Sequence, residues 1–379
     1  MSDDLRLHGE LIGRQGSRRD LNTPVLVLDI EALDRNIARM AELARSKGVR
    51  LRPHAKTHKS VDIAKRQVAA GAVGLCCAKL GEAEALAAGG VSGLHITSPV
   101  VSPPAIARLI TLNGVSDNLS VVVDNPENVR ALAAAASRER PLGVFVDIDP
   151  GIHRTGVASA EAAVSLARRI LAEPALRYEG VQMYCGREQH IADYAERKAA
   201  IEARTEYLKT VISALDEAGA HPKVVTGAGT GTHRIDLELG VINELQVGSY
   251  IFMDDEYLAC DLTGDGTAPY ERSLFVDARV VSANARRMVT VDAGLKAFAT
   301  EGEPPRPQDP ALAEGRYAFM GDEHGALIGP AAENLQIGEM VRLSTPHCDP
   351  TVDLYESYHL VRGDTLVDIW PVSARGRSR

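Results

Sequence analysis

Short apolar runs alternate with longer stretches of helical periodicity through the first two-thirds of the chain. VLVLD (25–29) reads as a strand, and Asp29 caps a predicted helix over 31–47 that puts Leu33, Ile37, Met40 and Ala44 on one face. VRLRPH (49–54) is the next strand candidate. After it come VGLCCAK (73–79), GLHITSP (93–99), LSVVVDN (119–125), PLGVFVDIDPG (141–151), YEGVQMYCG (178–186), KVVTGAGTG (223–231) and ELQVGSYIF (244–252). Helix-like segments stand between most of them, among them 81–90, 103–112, 159–171 and a long one ending near Gly219. Counted from VRLRPH, eight strand candidates over roughly two hundred residues predict a (β/α)8 barrel. A doubly wound open sheet is the alternative; the count of eight and the lack of an early glycine fingerprint favour the barrel.

From Ser273 the period changes to alternation. SLFVDARVVS, RMVTVDAG, IGEMVRLSTPH, SYHLVRG and TLVDIWPV read as strands separated by turn residues, with few helix-like stretches. The expected fold is therefore α/β, a TIM barrel with a C-terminal antiparallel β domain. The barrel takes 30–260 and the β domain 1–29 plus 261–379, joined by the Gly-, Thr- and Asp-rich DLTGDGTAPYE (261–271). Strand 25–29 goes to the β domain because the barrel count is complete without it.

Composition narrows the function classes. The 379 residues carry a formal net charge of -9 and no long basic stripe, which argues against nucleic acid as a partner. No apolar run is long enough to span a bilayer. The polar, acidic start MSDD does not read as a secretory signal. Five scattered cysteines suit a reducing compartment, so a cytoplasmic protein is expected.

The chemistry clusters where a barrel would gather it, at the C-terminal ends of its strands. In RPHAKTHKS, Lys56 follows a strand, where an imine-forming lysine is aimed and partly desolvated; a solvated basic loop is the competing reading. TGAGTGTH (226–233) follows the seventh strand, so backbone N–H groups around Thr230 and Gly231 can cradle a phosphate, with Gly248, Ser249 and Tyr250 completing the cradle after the eighth. Arg154, past the fifth strand, suits a phenolate or carboxylate, or else pairs with Asp147 or Asp149 at the surface. His190, shortly after Tyr184, is either a base or a structural histidine. His347 and Asp349 form an H-x-D pair; in an extended segment both would face one side and share a divalent ion, with Cys348 turned away. GDEHG (321–325) is either a turn or part of the site.

Taken together, TPVLVLD, RPHAKTHK, DPGIHRTGV, TGAGTG, ELQVGSYIFMD, VDAGLKA, GDEHG, HCDPT and WPVSARG resemble the D-threonine aldolase and D-serine dehydratase family of pyridoxal-phosphate enzymes, of the alanine-racemase-like fold type. The resemblance spans nearly the whole chain. It implies a homodimer whose active sites are each completed by the other subunit. It makes Lys56, rather than its rival Lys59, the Schiff-base lysine, and it sets Arg154 on the cofactor's phenolic oxygen and Tyr184 near the pyridine ring. Thr230, Gly231, Gly248, Ser249 and Tyr250 fall around the phosphate, and His190 at a proton-transfer position. His347 and Asp349 match the metal pair. Dehydratases of the family resemble H-x-C there; a carboxylate favours manganese, or magnesium or a similar ion, over zinc. The resemblance thus implies a metal-dependent aldolase acting on a small-molecule D-3-hydroxy amino acid, D-threonine first. A D-3-hydroxyaspartate aldolase and a D-serine or 3-hydroxyaspartate dehydratase are the alternatives. Departures from the family pattern at Ala78 and Cys185 bear on the aldehyde half of the substrate.

Overall fold

In the computed structural model, which describes residues 3–379, two eight-stranded sheets organise the chain. The first two residues of the expected 1–29 segment lie outside the described residues. Strand β1 (Val25–Asp29) comes first, and Asp29 then caps the helix Ile30–Ser46 by accepting the N–H groups of Glu31 and Ala32. The barrel strands follow: β2 (Arg50–Leu51), β3 (Cys76–Cys77), β4 (His95–Ile96), β5 (Ser120–Val123), β6 (Leu142–Ile148), β7 (Leu176–Met183), β8 (Val224–Gly227) and β9 (Glu244–Leu245). They pair in parallel in the order β2-β9-β8-β7-β6-β5-β4-β3. A parallel bridge from His54 to Cys76 brings β3 back to β2, with the Cys76 N–H donating to Pro53 O at 2.8 Å. The eight strands thus close into a (β/α)8 barrel.

Two helices that the periodicity did not single out, Val61–Ala69 and His233–Leu239, supply the missing connections. Both are short, and charged residues interrupt their apolar spacing. Caps start the outer ring: Ser159 and Asp193 accept N–H groups of Ala162 and Glu196 at the heads of Ala160–Leu171 and Tyr194–Glu217. Val121, Val123, Val144 and Val146 are fully buried, as strands covered on both faces require. Strands β2, β3, β4 and β9 hold only two ladder residues each, shorter than their apolar runs suggested. Beyond β2 the chain meets Pro53, which has no N–H to donate.

The second sheet contains β10 (Leu274–Ala285), β11 (Met288–Val291), β12 (Arg316–Phe319), β13 (Gly325–Ile328), β14 (Met340–Ser344), β15 (Ser357–Arg362) and β16 (Thr365–Pro371). Its order is β12-β13-β11-β10-β1-β15-β16, with β14 also on β10, and every pairing is antiparallel except β1 with β15. Strands β12 (RYAF) and β13 (GALI) escaped the sequence reading because neither carries a run of β-branched residues such as the SVVV of β5. GDEHG is the turn between them, where Met320 N–H donates to His324 O at 2.9 Å. The predicted strand IGEMVRLSTPH stops at Ser344. Cys348–Val352 is instead a short helix that begins just after His347. Among the described residues no helix is long and apolar enough to cross a membrane.

Contacts from this sheet hold the H-x-D segment over the barrel. Asp254, at the end of the last barrel loop, accepts the Cys348 N–H at 2.9 Å, and Asp255 N–H donates to Thr345 O at 3.1 Å. From β15, the Tyr358 hydroxyl donates to His58 O at 2.7 Å, two residues past Lys56.

Candidate active site

A cavity of about 560 Å3 opens at the C-terminal ends of the barrel strands. Lys56 enters it from the 3-10 turn Ala55–Thr57, which starts four residues past the end of β2. Its ammonium is ion-paired with Asp349 Oδ2, and Thr57 Oγ1 donates to Asp349 Oδ1 at 2.7 Å. The Asp349 charge holds the Lys56 pKa above its ordinary value. Burial would push the Asp349 carboxyl up, but the Lys56 charge and hydrogen bonds from Lys56 and Thr57 hold it well below the usual range. Lys59 goes elsewhere. It is buried against Glu82, with Nζ to Oε1 at 2.9 Å, and has no face on the cavity.

Arg154 is left free by the way its own loop is built. Asp149 is spent on the N–H groups of Gly151, Ile152 and His153, and Asp147 accepts from Thr155 and Gln182. Among the described residues Arg154 therefore has no carboxylate partner, and its guanidinium lies 5.7 Å from the centre of the Tyr184 ring. Both side chains line the cavity. Thr230, Gly248 and Ser249 line the opposite loops, and the N–H groups of Thr230 and Gly248 have no acceptor among the described residues.

Gly231 and Tyr250 stand behind this wall rather than in it. A Cβ on Gly231 would overlap the Gln189 carbonyl, while the Gly231 N–H donates to Gln189 Oε1 at 3.0 Å. Tyr250 is fully buried; its phenol accepts from Gln67 at 3.1 Å and its N–H donates to Thr230 Oγ1 at 2.9 Å. These contacts lock the loops after β8 and β9 together. A lysine, an unpaired arginine and free loop N–H groups, in a cavity whose lining contains no carboxylate, fit the aldehyde, phenolic oxygen and phosphate of pyridoxal phosphate.

His190 closes the 3-10 turn Glu188–His190, with its ring 4.7 Å from that of Tyr257, a cavity residue. Burial lowers its pKa, so it carries a free lone pair at neutral pH. His347 occupies the N-cap of the short helix and Asp349 its first turn, and the two are close enough for His347 to help lower the Asp349 pKa. The pair sits at a helix start, not in the extended segment that the spacing suggested. His347 Nδ1 lies 2.7 Å from Glu301 Oε1. A carboxylate on one ring nitrogen is the partner that a metal-binding histidine usually keeps. The donor set of imidazole and carboxylate fits a divalent ion with positions left open.

Among the described residues, a grouping of three metal-type donors, Asp4, His8 and His359, lies in the β domain. There the Asn22 backbone N–H donates to His8 Nε2 at 3.0 Å, so His8 Nδ1 carries the proton and donates to His359 Nε2 at 2.8 Å. Both facing nitrogens are used by that bond, and burial lowers the pKa of both imidazoles against the opposing charge of Asp4.

The sequence reading passed over Thr57, Gln189, Arg187 and Glu301, and also the cavity floor. There Gln246 donates to Gln182 at 3.0 Å, and Gln182 donates to Asp147 at 2.9 Å. Gln246 follows Glu244 at strand spacing, so two polar residues share a face that points into the barrel; that was the available signal.

Comparison with known proteins identifies the family. Residues 28–256 match the model of the alanine racemase N-terminal domain, and residues 273–361 that of a putative serine dehydratase domain. The chain is 38% identical to a 3-hydroxy-D-aspartate aldolase of Paracoccus denitrificans, over 94% of this chain and 93% of that one. It is also 38% identical to a D-threonine aldolase of an Arthrobacter species, over 95% and 94%. The crystal structure of a D-threonine aldolase from Filomicrobium marinum superposes with a TM-score of 0.89 at 38% identity, covering 95% of this chain and 97% of that one. The chain belongs to the alanine-racemase-like, fold-type III family of pyridoxal-phosphate lyases that includes the D-threonine and 3-hydroxy-D-aspartate aldolases.

Proposed function

We propose that the protein is a divalent-metal-dependent aldolase that cleaves D-3-hydroxy amino acids, D-threonine among them, to glycine and an aldehyde, and that it works as a homodimer. The observation that carries this reading is the contact between Lys56 and Asp349, which brings the cofactor lysine and one half of the H-x-D pair to a single point. Lys56, Arg154, Thr230, Gly248 and Ser249 would hold the cofactor, and His347 and Asp349 the ion, with manganese or magnesium suited to the carboxylate. Bound pyridoxal phosphate supplies the electron sink for breaking the Cα–Cβ bond.

The remaining work falls to the protein. Arg154 orients by charge, with no internal carboxylate to compete for it. The Gln246–Gln182–Asp147 chain keeps the floor rigid and hydrogen-bonded. His190 holds a lone pair near His347, where the 3-hydroxyl proton must go. A carboxylate at position 349 supports the aldolase over the dehydratase alternatives, which expel hydroxide instead of breaking carbon–carbon.

The test is a product assay on the purified protein with pyridoxal phosphate and manganese. With D-threonine, glycine and acetaldehyde should appear in equal amounts, stop with chelator and return with metal. Ammonia and 2-oxobutyrate instead would make the protein a dehydratase, and turnover indifferent to chelator would remove the metal from the reading.

A further inference from the structure

Three cationic side chains line the cavity: Lys56, Arg154 and Arg187. Lys56 is taken by Asp349, and the proposed function assigns it and Arg154 to the cofactor. Arg187 has no task in that scheme. It is exposed, and among the described residues its guanidinium has no hydrogen-bond or ion-pair partner. The carboxylate next to it in sequence, Glu188, is buried and bound to Arg204 at 2.9 Å. Glu256, outside the cavity lining, faces His190 at 3.7 Å.

The position of Arg187 says which end of a substrate it serves. It is the N-cap of the 3-10 turn Glu188–His190, in helical backbone conformation with φ -69 and ψ -33. Residues three apart on a 3-10 turn lie one above the other, so Arg187 and His190 stand on the same side. His190 in turn packs its ring 4.7 Å from that of Tyr257, a cavity residue, within the fields of Asp254, His347, Lys56 and Asp349. Arg187 therefore belongs to the side of the cavity that would hold the 3-hydroxyl and whatever else is attached to C3.

We infer that Arg187 is a specificity residue that binds a carboxylate on C3, so that the site selects D-3-hydroxy amino acids with a second acid group over those ending in a methyl. This rests on the aldolase reading and names its substrate class. A guanidinium forms two parallel hydrogen bonds with a carboxylate and none with a methyl group. Retro-aldol cleavage of such a substrate balances as one glycine plus one 2-oxo acid of two carbons. The Cα–Cβ electron pair stays on Cα, the 3-hydroxyl loses its proton, and Cα gains one.

The experiment uses two ligands that cannot be cleaved because they lack the 3-hydroxyl. The holoenzyme is titrated with D-aspartate, which has the C3 carboxylate, and with D-2-aminobutyrate, which has a methyl there, following the cofactor absorption band. D-aspartate should half-saturate at a concentration at least about tenfold lower, and Arg187→Met should collapse that ratio to about one while Arg187→Lys keeps part of it. A ratio unchanged in Arg187→Met overturns the inference. So does equal weakening of both ligands, which would put Arg187 on the α-carboxylate common to all substrates.

A parallel assay of glycine release from D-3-hydroxyaspartate and D-threonine separates this inference from its foundation. If the ratio responds to Arg187 but no glycine forms from either substrate, the subsite stands and the aldolase reading falls. If glycine forms from both with no preference for D-aspartate, the aldolase stands and the subsite falls.

Discussion

Lys56 and Asp349 are joined as an ion pair although one follows the first barrel strand and the other sits in a helix turn of the β domain. Thr57 completes the carboxylate's hydrogen bonding at 2.7 Å. A residue proposed for the cofactor and a residue proposed for the metal thus touch, and Asp349 can be removed without removing the amine proposed to form the imine. Asp349→Ala should keep the cofactor absorption band and lose manganese affinity. Glycine release should fall by about two orders of magnitude, equivalent to about 2.7 kcal/mol of barrier. Manganese binding is read by electron paramagnetic resonance. Undiminished cleavage by Asp349→Ala in chelator would end the metal role of this residue.

The two lysines of KTHK should fail in opposite ways. Lys59 and Glu82 form a pair with side chains only 8% and 3% exposed. Removing Lys59 leaves Glu82 buried without its charge partner, at a cost of about 3–5 kcal/mol. Lys59→Ala should therefore unfold at a clearly lower temperature yet, where folded, still show the cofactor band. Lys56→Ala should lose the band at a smaller cost in stability, because the Lys56 side chain is 41% exposed and Thr57 still donates to the Asp349 carboxylate it leaves behind. Melting curves paired with absorbance spectra read both, and a band surviving in Lys56→Ala would move the cofactor to another amine.

Gly231 is not in the cavity wall, but the wall depends on it. Its missing Cβ lets Gln189 pack flush behind the loop, where Gln189 also donates to Cys185 O at 3.0 Å and to Thr232 Oγ1 at 3.1 Å. The atom that an alanine would meet is a backbone carbonyl, which cannot swing aside. Gly231→Ala should displace the Thr230 N–H from the phosphate and weaken pyridoxal phosphate retention by about tenfold or more, on the order of 1.4 kcal/mol. Circular dichroism should remain native-like. Retention equal to the parent after gel filtration would show that the loop tolerates the shift.

What the sequence disclosed, and what it hid, follows from how far each feature is local. The barrel was readable because buried parallel strands are nearly all apolar and because caps such as Asp29 and Ser159 punctuate the chain. Lys56 at a strand end was readable for the same reason. The partners that give the site its character come from distant segments: Asp349 to Lys56, Gln189 to Gly231, Glu301 to His347. No spacing rule encodes those meetings. The H-x-D pair shows a subtler loss, since its two residues are only two apart but their geometry depends on a helix start. That start is fixed by the Asp254 carboxylate on the Cys348 N–H and by the Thr351 hydroxyl donating to His347 O at 2.7 Å.

Acid should destabilise this protein through its buried imidazoles. Burial lowers His95, His233 and His359 to about 4, against about 6.5 in an unfolded chain. The native state then takes up protons less readily than the unfolded one, so these groups stabilise fully above about pH 6.5 and lose that contribution as pH falls towards 4. Two buried carboxyls act in the opposite sense: burial raises Asp147 to about 6 and Asp236 to about 7, which favours the native state as they protonate. A single substitution isolates one term. His95 contacts Ser120 Oγ at 2.9 Å and Gln182 Oε1 at 3.0 Å, and a glutamine side chain offers an oxygen and an N–H for the same two partners. His95→Gln should lose less stability than the parent between pH 7.5 and pH 5, by on the order of 1–2 kcal/mol. Denaturant midpoints at the two pH values measure it, and parallel losses in both proteins would mean that His95 is not held neutral by the fold.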